Sequence, residues 1–399
     1  MGVVKASPKL NITYNGSTIA ALTNSGSKTL KTSGKRMKSD VTLTGSLVSS
    51  LTVTYNGTNI VSGGTAPKTL KTAGKHMVSD VKITATMGSV SNLSAARGYL
   101  AGASVGNYAL AMGGSSGTMS AVVDAYDTSL TRRTPTALSA ARRRLAGASV
   151  GNYALAMGGT DGSTMSAVVD AYNKSLTRST PTALSQARGY AAGARVGNYA
   201  LAMGGYSNRV STVVDAYNTS LTRSTPAALT GGRSQSAGAS VGNYALILGG
   251  FNSNGSDMVS VNAYNTSLTL STATALSQAR QELAGASVGN YALAMGGYVV
   301  DVVDAYNTSL TRSIPTALSQ ARGRLAGASV GNYALAMGGA PSSNSSTVVD
   351  AYDTSLTRST PTALRAARQC LAGASVGNYA LAMGGSSRTS AVVDAYTVT

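Results

Sequence analysis

From Leu93 to Thr399 the apolar residues come in short runs of about five, and the same order of runs keeps returning. In the first copy, Ala101 to Val105 is a run of small residues, Gly106-Asn107 is a two-residue hairpin turn, and Tyr108 to Met112 is a second run closed by Gly113-Gly114. Val122 to Tyr126 predicts a third strand. Ser129 to Arg132 predicts a fourth after a tight Asp-Thr link. No segment shows the 3.6-residue spacing of a helix, which argues against helical solenoids. The Gly-Gly pair recurs at Gly158, Gly204, Gly249, Gly296, Gly338 and Gly384, giving seven copies at steps of 42 to 47 residues. Four antiparallel strands per copy at that period predict an all-β, seven-bladed β-propeller over 88–399. Small residues in the first run suit the crowded strand nearest the axis.

A different repeat fills the first 87 residues. ITYNG at Ile12 returns as VTYNG at Val53, KTLKTSGK at Lys28 as KTLKTAGK at Lys68, and SDVTLT at Ser39 as SDVKIT at Ser79. The pattern predicts two small β-modules, 1–47 and 48–87, each with little core of its own. The seventh long copy stops at Tyr396-Thr397-Val398-Thr399, before its fourth strand. A closed ring cannot leave that position open without exposing an edge. Aligning Leu93 with Leu138 places Ile83 to Thr86 where the closing strand belongs.

The long repeat resembles the kelch motif in its Gly-Gly doublet after the second strand, in an Arg upstream of the first (Arg97), and in a Tyr about a dozen residues after the doublet (Tyr126). One departure is plain. Kelch repeats place Trp in the fourth strand, whereas this chain has no Trp and carries Leu130, Leu176, Leu221, Leu268, Leu310 and Leu356. The Lys-Thr-Leu…Gly-Lys…Asp repeats resemble those of structural proteins of phages and prophages. The phrases VVDAYNTSLTR and LSQAR…GNYALAMGG resemble kelch arrays in the same proteins. This resemblance implies a virion- or tail-associated structural protein, present in multiple copies. Residues 1–80 would attach to other virion or tail proteins and gain order there, and the propeller would face bacterial surface glycan. It also implies assembly in the bacterial cytoplasm and residence in the virion.

Charge adds to this picture. The formal net charge is +18, divided evenly: residues 1–92 hold 11 Lys/Arg against Asp40 and Asp80, and residues 93–399 hold 21 against 12 acidic residues. Such a balance favours acidic surfaces. No basic run with interleaved aromatics points to nucleic acid. No run is long enough to span a membrane, and the N-terminus has no apolar core of signal-peptide length. Cys370 is the only cysteine, so the chain has no internal disulfide and no thiol-rich metal site.

Antiparallel connectivity sends the inserts after Gly-Gly and the pair after each Ala-Arg to one face, and almost all differences between copies fall there. The inserts run from SSGTMS to FNSNGSDMVS and YVV; the pairs run from Gly98-Tyr99 to Gln369-Cys370. Loops on a rigid scaffold are where binding residues usually sit. The candidate ligand-binding residues are therefore Tyr99, Arg143, Arg144, Tyr190, Tyr206, Arg209, Phe251, Tyr298, Arg324 and Arg388. Their rings and forks suit sugar faces, carboxylates and phosphates. The invariant Arg of Ala-Arg (Arg97, Arg142, Arg188, Arg233, Arg280, Arg322, Arg368) reads better as a structural contact between blades. The Asp of Val-Val-Asp, replaced by Asn262 in copy four, reads as its partner or as a turn residue.

The inventory for catalysis is thin. Glu282 is the one Glu and His76 the one His, so His-metal chemistry on the propeller is excluded and no cofactor is expected. A sialidase-like or other glycan-processing enzyme, with Arg, a Tyr nucleophile and Glu282, is the runner-up. A purely architectural decoration protein is the third reading.

Overall fold

The computed structural model describes residues 2–398 apart from 7, 8, 24, 47, 63–65, 88, 89, 387 and 388. The described residues contain strands and no helix. They divide into two units, one of residues 6–91 with 129–131, the other of 1–5, 92–128 and 132–399.

The smaller unit is built from β2 (Lys9–Tyr14), β3 (Ser17–Leu22), β4 (Gly26–Leu30), β5 (Val41–Ser46), β6 (Val48–Tyr55), β7 (Thr58–Ser62), β8 (Lys68–Leu70) and β9 (Val81–Met87), β1 (Val3–Lys5) belonging to the larger unit. Its strand order corrects the expectation of two separate modules. One sheet runs β3-β2-β5-β8 and the other β4-β9-β6-β7, so each sequence repeat gives one strand to the other's sheet. The exchange follows from the thin core of a single repeat. Together the two sheets bury Leu10, Ile12, Val41 and Leu43 with Leu51, Val53, Val81 and Ile83 in one cluster, which neither repeat could assemble alone. The connections match across the exchange: the Gly34 N–H donates to the Met77 carbonyl at 2.7 Å and the Gly74 N–H to the Met37 carbonyl at 2.8 Å.

In the larger unit, β10 (Ala101–Val105), β11 (Tyr108–Met112), β12 (Val123–Asp127) and β13 (Arg132–Arg133) form an antiparallel sheet in chain order, with Ala103 opposite Leu110 and Leu110 opposite Ala125. Five further sheets repeat it. This is a propeller-like repeat fold. The fourth strand is shorter than expected, because the Thr-Ser-Leu-Thr stretch is a turn. Leu130 and its equivalents sit there at φ near 62°, not in the strand where kelch repeats keep Trp.

The seventh sheet combines Ala372–Val376, Tyr379–Met383 and Val393–Val398 with β1. The closing strand is therefore Val3–Lys5, not Ile83–Thr86. Val3 pairs with Val398 and Lys5 with Tyr396, whereas Ile83 pairs with Lys28 and Val53 in the smaller unit and is 0 % exposed there. Lys5 takes over the fourth-strand Arg's position. Arg132 stands opposite Tyr126 with Nε 3.7 Å from Asp124, and Lys5 stands opposite Tyr396 with Nζ 2.7 Å from Asp394.

The first strands of successive sheets adjoin, and the last adjoins the first. The Ser149 hydroxyl donates to the Ser104 carbonyl at 2.6 Å and the Ser104 hydroxyl to the Ser375 carbonyl at 2.7 Å, which closes the circle. Their approach explains the invariant Ala-Gly-Ala. A Cβ at Gly102, Gly147 or Gly373 would collide with the carbonyl oxygen of the matching glycine in the preceding sheet.

Candidate functional site

Each copy of Arg-X-X, preceded by Ala in six copies and by Gly232 in the fourth, fixes the site in the same way. The Arg is buried beneath it. Arg97 donates from Nε to the Gly113 carbonyl at 2.7 Å and pairs with Asp124 at 2.8 Å. The Arg97 carbonyl accepts the Gly385 N–H of the preceding sheet at 2.9 Å, so one residue ties its own sheet to its neighbour. Burial pushes the Arg97 guanidinium down, and Asp124 pushes it back. Arg142, Arg188, Arg280, Arg322 and Arg368 pair likewise with Asp170, Asp215, Asp304, Asp350 and Asp394 at 2.5 to 2.7 Å.

The next residue pairs within its own copy, at an outer position. Gly98 and Ser115 exchange backbone hydrogen bonds at 2.9 Å each, as do Gly189 with Tyr206 and Ser234 with Phe251 at 2.7 to 3.1 Å. This locks the residue after each Gly-Gly beside the pair after each Ala-Arg.

The second residue of the pair joins an inner circle. The N–H of Tyr99 donates to the Cys370 carbonyl, Arg144 to Tyr99, Tyr190 to Arg144, Gln235 to Tyr190, Glu282 to Gln235, Arg324 to Glu282, and Cys370 to Arg324, at 2.8 to 3.3 Å. Seven hydrogen bonds close into a ring. All seven residues have φ between 53° and 58°, the left-handed region that disfavours side chains, yet none is glycine. The ring surrounds a basin of about 260 Å³, with Leu100, Leu145, Leu283, Leu325 and Leu371 among its walls.

The ring's side chains interact with one another. The Arg144 guanidinium lies 5.0 Å from the Tyr99 ring centre and 4.3 Å from that of Tyr190, a cation between two aromatic faces. Arg143 reaches the Tyr99 ring at 5.8 Å. Arg324 Nε pairs with Glu282 Oε2 at 2.8 Å. Burial would depress the Arg324 guanidinium, but the hydrogen bond and charge of Glu282 more than offset it. Burial also raises the Cys370 thiol and the Tyr99 phenol, which touch each other.

Of the residues expected from sequence, Tyr99, Arg144, Tyr190 and Arg324 line this basin, with Arg143 against the Tyr99 ring. Tyr190 also lines a second cleft of about 450 Å³, where it meets Tyr206, Arg209 and Phe251. Tyr298 occupies an outer position, 52 % exposed, and lines neither. Arg388 lies outside the described residues. Gln235 and Cys370 also line the basin, as does Glu282, which the sequence offers only for the enzyme reading. Their signal in the sequence is positional, since they align with Tyr99 and Arg144, and is not carried by an aromatic or basic side chain. Asn208 and Asn252 of the cleft fall in inserts of unequal length, which gave no such signal. Among the described residues no group of three or more His, Cys, Asp or Glu is placed to hold a metal ion.

A scan against models of known protein families gives no match to the chain, and a search of curated proteins finds no relative.

Proposed function

We propose that this chain is a non-enzymatic recognition protein of a phage or prophage particle. In this reading a seven-bladed, kelch-like propeller presents its ring-bearing face to an acidic glycan of the bacterial surface, and the unit of residues 6–91 attaches it to neighbouring virion or tail proteins in multiple copies. The observation that carries the recognition reading is the hydrogen-bonded ring. Seven equivalent backbone positions hold seven side chains around one basin, at a φ that glycine would adopt without cost, and the side chains differ from copy to copy. Packing alone would be served by one small residue seven times over. The phage setting rests on the resemblance of the two repeats.

Binding is favoured over hydrolysis by the state of Glu282. It is the one carboxylate lining the basin, and its Oε2 is held by Arg324 at 2.8 Å, so it is not free to act as the acid–base group that a two-carboxylate or a Tyr-nucleophile glycosidase needs.

The test is binding of the purified chain to an array of bacterial capsular and cell-wall polysaccharides, repeated with Arg144→Ala and Arg324→Ala. Retention of an acidic polysaccharide, weakened by both variants, is expected. Normal incorporation into particles with no affinity for any polysaccharide would assign the chain to decoration. Shortening of a bound polysaccharide would assign it to catalysis.

A further inference from the structure

We infer that the ligand of this face is a linear acidic oligosaccharide that runs from the cleft between the third and fourth sheets into the ring-lined basin, not a single terminal sugar. This rests on the recognition reading above and adds the length and path of what is recognised.

The basin and the cleft are not separate sites. Tyr190 and Gln235 line both. They are consecutive members of the ring, and their predecessors Gly189 and Ser234 are locked by paired backbone hydrogen bonds to Tyr206 and Phe251. Each wall of the cleft is therefore one rigid strip from the basin outward: Tyr190 to Tyr206 on one side, Gln235 to Phe251 on the other.

The strips differ from the rest of the face in chemistry. The outer positions of the other copies carry Ser115, Thr160, Ala340 and Ser386, with one further aromatic at Tyr298. Between the third and fourth sheets two outer aromatics, Tyr206 and Phe251, flank an opening that reaches the basin. Tyr206 is 39 % exposed although both its N–H and its carbonyl are bonded to Gly189, so an aromatic surface is displayed there on a fixed support. Asn208 adds an amide at the same walls and Asn252 an amide donor, its Oδ1 being taken by the N–H groups of Asn254 and Ser256. Stacking rings with amides between them match the alternating C–H faces and hydroxyl edges of consecutive sugars.

Charge along the path sets the acidic character. Arg209 lies in the cleft and Arg144 and Arg324 in the basin, while Glu282 is the only carboxylate lining either. The cleft is the larger cavity and the basin is below the size that encloses a drug-sized ligand, so an occupant of both spans several sugar units.

The experiment uses the full chain and an acidic capsular polysaccharide that it retains on the array. That polysaccharide is hydrolysed and separated by size from the monosaccharide to longer oligomers, and affinity is measured by calorimetry. Affinity is expected to climb with length and then level off. In the Tyr206→Ala/Phe251→Ala double variant the longest fragments should bind about tenfold or more weaker, with the shortest unchanged and the melting temperature preserved. Full affinity for the monosaccharide, or an unaltered length dependence in the double variant, would overturn the extended path while leaving glycan recognition standing. No binding of the intact chain to any polysaccharide would overturn both.

Discussion

Arg233 faces Asn262 in the fourth sheet, where six other copies set an arginine against an aspartate. Its Nη2 is hydrogen-bonded to Asn262 Oδ1, while its Nε and the Asn262 amide nitrogen have no partner among the described residues. Burial pulls the Arg233 guanidinium down to about 10, opposed only by Tyr264. Asn262→Asp should therefore stabilise the ring by about 1–3 kcal/mol, by giving a buried charge its counter-ion. The sign extends to pH. A cation whose folded pKa is depressed destabilises the fold in full below that value, and the penalty fades as pH rises from there toward the unfolded pKa. The advantage of Asn262→Asp over wild type should accordingly shrink as pH rises past about 10. Denaturant titrations of both proteins on either side of that pH are the check, and an unstable variant at neutral pH would contradict the pairing.

Two substitutions separate the closing strand from the residues first expected to supply it. Ile83→Ala should cost the smaller unit about 2–5 kcal/mol and leave the ring's unfolding transition in place. Lys5→Pro should act on the ring, since it breaks the pairing with Tyr396 and removes the cation beside Asp394. Calorimetry resolving the two transitions reports which one moves.

Asp40 and Asp80 clasp the two halves of the smaller unit. Asp80 Oδ1 accepts the N–H groups of Thr32 and Ser33, and Asp40 Oδ1 those of Thr72 and Ala73. The Ala73 N–H and then Lys71 hold the Asp40 carboxyl below its usual range; Lys31 and then the Ser33 N–H do so for Asp80. A depressed carboxylate contributes stability above its unfolded pKa and loses it as pH falls through the folded one. The smaller unit should thus weaken below about pH 4, and Asp40→Asn/Asp80→Asn should flatten that dependence. Thermal melts between neutral and strongly acidic pH test it.

Cys370 is a built-in reporter of the basin. Burial raises its thiol, so alkylation at neutral pH should be far slower than for a free cysteine and should recover on unfolding. Once forced at alkaline pH, the adduct fills the basin beside Tyr99 and should abolish polysaccharide retention. Binding unchanged after stoichiometric labelling would place the ligand elsewhere.

The repeated sheets, the turns and the shared face were legible in the sequence because each is a local pattern stated seven times. The closing strand was not. Val3–Lys5 matches the fourth-strand pattern at one chemical position, Lys5 for Arg132, and a lone Lys is indistinguishable from the ten other basic residues around it. Strand exchange between the short repeats was hidden for a related reason: two similar sequences pair equally well within or across copies, and the core volume decides. The ring was half legible. Alignment placed Tyr99, Arg144 and Tyr190 at one position, but the left-handed backbone that aims them inward arises from contacts between sheets and has no local signature.

That ring separates two kinds of information within a single residue. The backbone of each member is engaged by its neighbours through N–H and carbonyl alone, so the circle accommodates a range of unbranched side chains, with β-branched residues disfavoured by the positive φ and proline excluded by its fixed φ and missing donor. The basin can therefore be rewritten one letter at a time, like a seven-character label in a fixed frame, with each change altering what is read and none altering the surface on which it is written.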